Sequence, residues 1–292
     1  MAVQKLRVGR IPYANLFPIF RTLESEFDCC SYEFVEGAPS KLNRMLREGE
    51  IDLSPSSSVE YLRNPALYEI IPGHSVSSRG AVESILFFSD RKMEALDGTV
   101  VHASAQSETS TALLAVILRK FYGVKCDIAI SDYPQITQER SYLLIGDDAL
   151  RHRNMTGSQR LEGPGRGRTA YDLGEVWYRQ TGLPFVFALW IVRKDHGKTS
   201  DRPPLRGDTR EKLLRGFISD LDRAKHIALG KLSELVRGAP FRSFMSEDEI
   251  LRYWDKLDYD LTTAHYEGLK LFNDFLVELS YLTRLPSITE PR

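Results

Sequence analysis

Cysteine is scarce in this chain. Cys29, Cys30 and Cys126 are three residues among 292. Two are adjacent and none completes a C-x-x-C, which excludes a zinc ribbon and a thioredoxin-like pair. So sparse and odd a set fits reduced thiols packed inside a cytosolic protein. An excess of either charge is also missing. Against 39 Lys and Arg stand 40 Asp and Glu, a net charge of -1, so the chain is not built mainly to hold nucleic acid. No stretch approaches the roughly 18 apolar residues of a membrane span. The N-terminus begins basic with Lys5, Arg7 and Arg10, yet Pro12, Asn15 and Pro18 break the apolar run that a signal peptide requires. The expectation is a cytoplasmic protein with neither membrane nor nucleic-acid partners.

Familiar catalytic signatures are equally few. The six histidines, His74, His102, His152, His196, His226 and His265, form no H-E-x-x-H and no close pair, so no metal site is expected. There is no G-x-S-x-G elbow, which disfavours an α/β-hydrolase. There is no phosphate-binding G-x-x-x-x-G-K-S/T and no strand-linked G-x-G-x-x-G, so no nucleotide and no cofactor is expected.

What is present is a core and an alternation. Hydrophobic residues are 42% and charged residues 27%, enough for a globular chain that needs no staple. Residues 5–11 read as a strand, and Pro18 suits the first turn of the next helix. Residues 32–35 are a second strand. Ser40 opens a helix with Leu42, Met45 and Leu46 at helical spacing and Gly49 at its end. Residues 51–53 are a third strand, and Ser57 or Ser58 caps a short helix. This order predicts an α/β class with parallel strands.

Residues 81–88 form a longer apolar strand, and the polar run 89–98 reads as a crossing into a second unit. There, residues 99–103, 127–130, 142–145 and 185–192 are strands, residues 107–122 are a helix, and Asp172 with Glu175 caps another. The Gly- and Arg-rich stretch 151–168 reads as a surface insertion, and 195–206 as a polar connector. Capping patterns at Asp208 with Glu211 and Ser246 with Glu249, then a stripe of Leu269, Phe272, Leu276, Leu279 and Leu282, make the remainder helical. The expected lobes are 1–90 joined with 190–292, and 91–189, with the helical tail packing on the first lobe. A chain that crosses and returns in this way resembles the two-lobed type II periplasmic-binding-protein-like clamshell with a C-terminal helical extension.

Small polar groups collect at the predicted strand ends. Asn15 follows the first strand, and Ser57 and Ser58 follow the third. Ser84 lies in the crossing strand, and Ser107, Thr109 and Ser110 stand at a helix start. Gly146 and Asp147 follow the strand that ends at Ile145. Singly, each is a cap or a turn residue. Together they predict a cleft that grips an oxygen-rich anion with hydroxyls and helix N-terminal N–H groups.

Six segments then carry a family resemblance. In order, they are GRIPYANLFP from Gly9, DLSPSSSVEY from Asp52, VESILFFS from Val82, SETSTALL from Ser107, LLIGDDAL from Leu143 and YDLGEVWYRQTGLPFVFALW from Tyr171. Together they are similar to the chorismate dehydratase family of the futalosine route to menaquinone. The resemblance covers about residues 6–193, and the last block is the most specific. It implies a small-molecule substrate, chorismate, and loss of water from it. It also implies Asn15 and Ser84 as active-site residues, with Ser57, Ser58, Ser107, Thr109, Ser110, Gly146 and Asp147 as the substrate-binding set. The insertion at 151–168 is longer than the family pattern, and Ala14 and Phe17 depart from the first motif. Arg10 and Arg79 are the candidates to pair with the ring carboxylate.

Three rivals stand beside this reading. Dihydroxynaphthoate synthase of the same route is expected to carry a His in the segment matching IGDD, where this chain has Gly146 and Asp147. A solute-binding protein that catalyses nothing shares the fold, and fold alone does not fix function; the missing export signal counts against it. The effector domain of a transcription regulator needs a helix-turn-helix ahead of the clamshell, whereas the first strand begins by residue 5.

Overall fold

The computed structural model describes residues 5–131, 135–156, 168–194 and 207–283. The chain opens with β1 (Leu6–Arg10), α1 (Phe17–Glu26), β2 (Tyr32–Glu36), α2 (Pro39–Arg47), β3 (Leu53–Ser57), α3 (Ser58–Arg63) and β4 (Tyr68–Ser78). It continues through β5 (Ile85–Ser89), β6 (Val100–Ser104), α4 (Glu108–Val116), β7 (Asp127–Ser131), β8 (Ser141–Ile145), α5 (Gly146–Thr156), β9 (Thr169–Asp172), α6 (Leu173–Thr181) and β10 (Phe185–Arg193). Helices α7 (Gly207–Gly230), α8 (Leu232–Leu235), α9 (Glu247–Asp255) and α10 (Thr263–Glu278) complete it.

Two five-stranded sheets result, ordered β2-β1-β3-β10-β4 and β7-β6-β8-β5-β9. In the first, β1 pairs parallel with β2 and β3; in the second, β6 pairs parallel with β7 and β8. The expectation of parallel strands holds for these and fails for two others. β10 runs antiparallel between β3 and β4, and β5 antiparallel between β8 and β9. Both lie second from an edge, are buried almost throughout, and read as continuous apolar runs.

The sheets divide the chain at points other than the expected boundaries near 90 and 190. Ile85 to Phe88 already belong to the second sheet, where Leu86 and Phe87 face Leu144 and Leu143. The crossing therefore covers 79–84, and the polar run after residue 89 leads into β6. The return is complete at Phe185, whose partner is Ser78 of β4. Strand β4 has no counterpart in the sequence reading. Pro72 and Gly73 interrupt it, serines replace the apolar alternation, and two register shifts against β10 accommodate the irregularity.

An edge strand with free N–H and C=O groups invites pairing. Here the tail covers β4: Ser77 and Asp258 exchange both backbone hydrogen bonds at 2.8 Å, and the Ser75 N–H donates to the Tyr259 carbonyl at 3.0 Å. The capping box of Ser246 and Glu249 starts α9 as expected, and Asp172 caps α6 by accepting from the Glu175 N–H. The tail does more than pack on the first sheet. Phe217 of α7 meets Tyr32 edge-on at 5.2 Å. Phe272 of α10 meets Phe185 of β10 at 4.8 Å, and Phe275 meets Phe121, beyond α4, at 5.9 Å. Of the Gly- and Arg-rich stretch, 157–167 lie outside the described residues, as does the connector 195–206.

Candidate active site

Helices that follow strands in such sheets begin at the strand ends, so their free N–H groups face the space between the sheets. The first residues of five helices, or the residues just ahead of them, line one cavity of about 60 Å³. Its wall includes Leu16 at the start of α1, Pro39 of α2, Ser57 ahead of α3, Ser107 ahead of α4 and Gly146 of α5. Asn15, Ser84 and Ser110 complete its polar lining with Tyr13, and Ile11, Val76, Ile85, Ile145 and Phe187 supply apolar wall. Among the described residues, no Lys, Arg or His lines it. The nearest positive ends are those of the helix dipoles.

Six of the nine residues picked from the sequence meet here: Asn15, Ser57, Ser84, Ser107, Ser110 and Gly146. The other three point into the surrounding framework. Ser58 donates to the Val186 carbonyl at 2.5 Å. Thr109 accepts from the Val59 N–H at 3.0 Å. Asp147 accepts from the Ala14 N–H at 2.9 Å, across the two halves. Burial drives the Asp147 carboxyl up to about 6, aided by the neighbouring Asp148 and opposed by the Ala14 N–H and Arg151. Its carboxylate is thus engaged by protein. The two arginines considered as carboxylate partners are engaged elsewhere: Arg10 pairs with Glu24 and Glu36, and Arg79 with Asp258 at 3.0 Å.

The Asn15 Oδ1 is buried and has no hydrogen-bond partner, which leaves an acceptor free for a ligand. The surrounding loop is held by the tail. The Trp254 Nε1 donates to the Ala14 carbonyl at 2.8 Å, and the Tyr259 hydroxyl to the Asn15 carbonyl at 2.5 Å. Ser84 is held from three sides. Its carbonyl accepts from the Gly146 N–H at 2.7 Å, and its hydroxyl donates to the Val82 carbonyl at 3.4 Å. Upstream, Asp172 accepts from the N–H groups of Val82 at 3.0 Å and Glu83 at 2.6 Å. Glu83 takes a positive φ of 60°, a strained conformation secured by its ion pair with Arg153 at 2.8 Å. Burial pushes the phenols of Tyr13, Tyr253 and Tyr259 up, so they stay protonated donors at neutral pH.

Sequence reading misses Tyr13, Gln106, Asn43 and the three tail aromatics. Asn43 donates to Ser57 at 2.9 Å, and both Asn43 and Ser107 border a second, outer cavity of about 420 Å³. Tyr13 lies two residues before Asn15 and Gln106 directly before Ser107, and Tyr-Ala-Asn as a unit was the available signal. The tail aromatics carry no local signal, because Tyr253 and Trp254 read as the apolar face of an amphipathic helix.

Two sheets, two crossings and a cleft ringed by helix N-termini define a protein of the periplasmic-binding-protein fold. A protein of Archaeoglobus fulgidus of known structure superposes with a TM-score of 0.71 at 17% identity, covering 97% of this chain and all of that one. The periplasmic aliphatic sulphonate-binding protein of Escherichia coli does so with 0.63 at 13% identity, over 98% and 90% of the two chains. The sequence goes further. The profile of the menaquinone biosynthesis family matches residues 6–278, and the chain belongs to that family. A chorismate dehydratase of Thermus thermophilus is 27% identical over 276 residues, covering 92% of this chain and 94% of that protein.

Proposed function

We propose that this cleft is the active site of a chorismate dehydratase, a cytoplasmic lyase that eliminates water from chorismate to give 3-(1-carboxyvinyloxy)benzoate. The observation that carries the reading is the unpaired Asn15 Oδ1 in a cavity that Ser84 also lines, ringed by helix N-termini and, among the described residues, without Lys, Arg or His in its wall. Family membership and the Thermus relative support it.

The chemistry suits such a site. The hydrogen on C3 of chorismate is acidified through the ring double bond by the ring carboxylate, and the C4 hydroxyl is the leaving group. Removing both makes the ring aromatic, so the substrate supplies the driving force. The protein's tasks are to orient the substrate and to stabilise negative charge as it develops. With no His or Lys among the described lining residues, the base in this reading is the substrate's own enolpyruvyl carboxylate. It takes the C3 proton, the C3–H electron pair flows into the ring and expels the C4 oxygen, and the enolpyruvyl carboxylic acid returns that proton to the leaving hydroxide, which departs as water. Asn15 orients the enolpyruvyl arm or accepts from the C4 hydroxyl. Ser84 donates to the departing oxygen, and the N–H groups ahead of α4 hold a carboxylate.

One further contact favours this over dihydroxynaphthoate synthase. A Cβ placed on Gly146 falls 3.0 Å from two ring carbons of Tyr13, so any side chain there requires the Tyr13 ring to shift, in the segment where that rival is expected to carry a His. The similarity to sulphonate-binding proteins keeps one rival, a receptor that changes nothing. Anaerobic incubation of the purified protein with chorismate, followed by ultraviolet absorbance and chromatography, separates the two. Aromatic product supports the dehydratase; chorismate bound and recovered intact overturns it.

A further inference from the structure

Tyr13, Ala14 and Asn15 are consecutive, and the second sheet's half of the molecule grips the first two. The Tyr13 hydroxyl donates to Gln106 Oε1 at 2.5 Å, and Gln106 Nε2 donates to Asp148 Oδ2 at 3.0 Å. The Ala14 N–H donates to Asp147 at 2.9 Å. The Gln106 amide thus has one orientation, its oxygen satisfied from one half and its nitrogen from the other. Tyr13 is fixed at both ends, by its hydroxyl and by its ring against Gly146. The next side chain is Asn15, whose Oδ1 is the unpaired acceptor.

A cavity of about 60 Å³ holds roughly four waters, whereas sites for ring-sized ligands occupy about 300–1,000 Å³. A cyclic dicarboxylate therefore reaches Asn15 only when the walls part, and the bonds that join the halves across this loop re-form as they come together.

We propose that Gln106, held by Asp148, is a positioning residue: its bond to Tyr13 couples closing of the two halves to the placing of the Asn15 amide. The inference rests on the dehydratase reading. Asp148 anchors the relay from the α5 side, and the Asp147 bond to Ala14 runs beside it.

The test exchanges the polarity of the relay while keeping its charge. Gln106→Glu still accepts from Tyr13 but meets Asp148 as a second carboxylate. Asp148→Asn still accepts from Gln106. The pair Gln106→Glu with Asp148→Asn restores both hydrogen bonds and the original net charge. With chorismate as substrate, Gln106→Glu is expected to lower kcat by about 10- to 100-fold, the scale of a small misplacement near the chemistry. Asp148→Asn is expected to stay within about threefold of the parent and the pair to recover to a similar level, a non-additivity that identifies direct coupling. Amide exchange of the peptide containing residues 11–16, read by mass spectrometry, is expected to rise in Gln106→Glu and to return in the pair. An unchanged kcat in Gln106→Glu, or a pair no better than that single variant, overturns the proposal. If the parent itself makes no aromatic product, the dehydratase reading fails, and the exchange pattern alone then decides whether the relay orders the loop.

Discussion

The hydroxyl of Tyr259 donates to the backbone carbonyl of Asn15 at 2.5 Å, although 244 residues of chain separate them. The tail segment that covers the edge of β4 is the same segment that braces the cavity loop. Fold completion and site geometry thus share one set of contacts. Tyr259→Phe leaves that carbonyl without its donor, a loss of about 1–3 kcal/mol for a buried group. The expected result is a lower melting temperature together with a fall in kcat. A lower melting temperature with kcat unchanged would show that the brace serves the fold alone.

Asn15→Ala and Ser84→Ala are expected to fold like the parent, with unchanged circular dichroism, and to lose most turnover of chorismate. Each removes a small polar group from a cavity wall, with little loss of packing. Near-normal rates in both would sink the assignment of roles to these residues.

Asp147 gives the molecule a pH signature. Its folded carboxyl lies near 6 against an ordinary 3.8, chiefly because burial disfavours the charge. The folded state holds this proton more tightly than the unfolded chain. The stability linked to it is therefore complete below the unfolded value of about 4 and is lost as pH rises through about 6. Asp147→Asn, neutral at every pH and still able to accept from Ala14, should raise the melting temperature at pH 8 and change it little at pH 4. Equal shifts at both values would contradict the assignment.

Gly268 lets α10 approach the return segment. A Cβ there would come 2.2 Å from the Pro184 carbonyl oxygen, which is backbone and cannot swing aside. Gly268→Ala should cost about 1–3 kcal/mol through forced displacement, seen as a lower denaturation midpoint in urea with an unchanged slope. An unaltered midpoint would show that the helix shifts freely.

Sequence patterning reached the elements with strong periodicity and the residues next to them. Asn15, Ser57, Ser107 and Gly146 were legible because a strand end followed by a helix start is a local pattern. Strand β4 was not, since its serines, Pro72 and Gly73 obey no alternation and it exists by pairing with β10, which lies over 100 residues on. Ser58, Thr109 and Asp147 share the right loops but turn toward Val186, Val59 and Ala14, and one-residue differences in side-chain direction leave no mark in sequence. Tyr253, Trp254 and Tyr259 read as core because they are core; only the tertiary structure adds their polar ends to the site.

The insertion of β10 between β3 and β4 has a consequence for synthesis on the ribosome. Every strand of the second sheet lies between residues 85 and 172, so that half is complete in the order in which it emerges. The first sheet begins earlier and finishes later. β1 to β4 wait through more than 100 residues for the strand that joins β3 to β4, and β4 waits longer still for the segment around Asp258. The half whose synthesis begins first is the half whose strands are completed last, and the cavity, which draws its wall from both, can take shape only after β10 has been made.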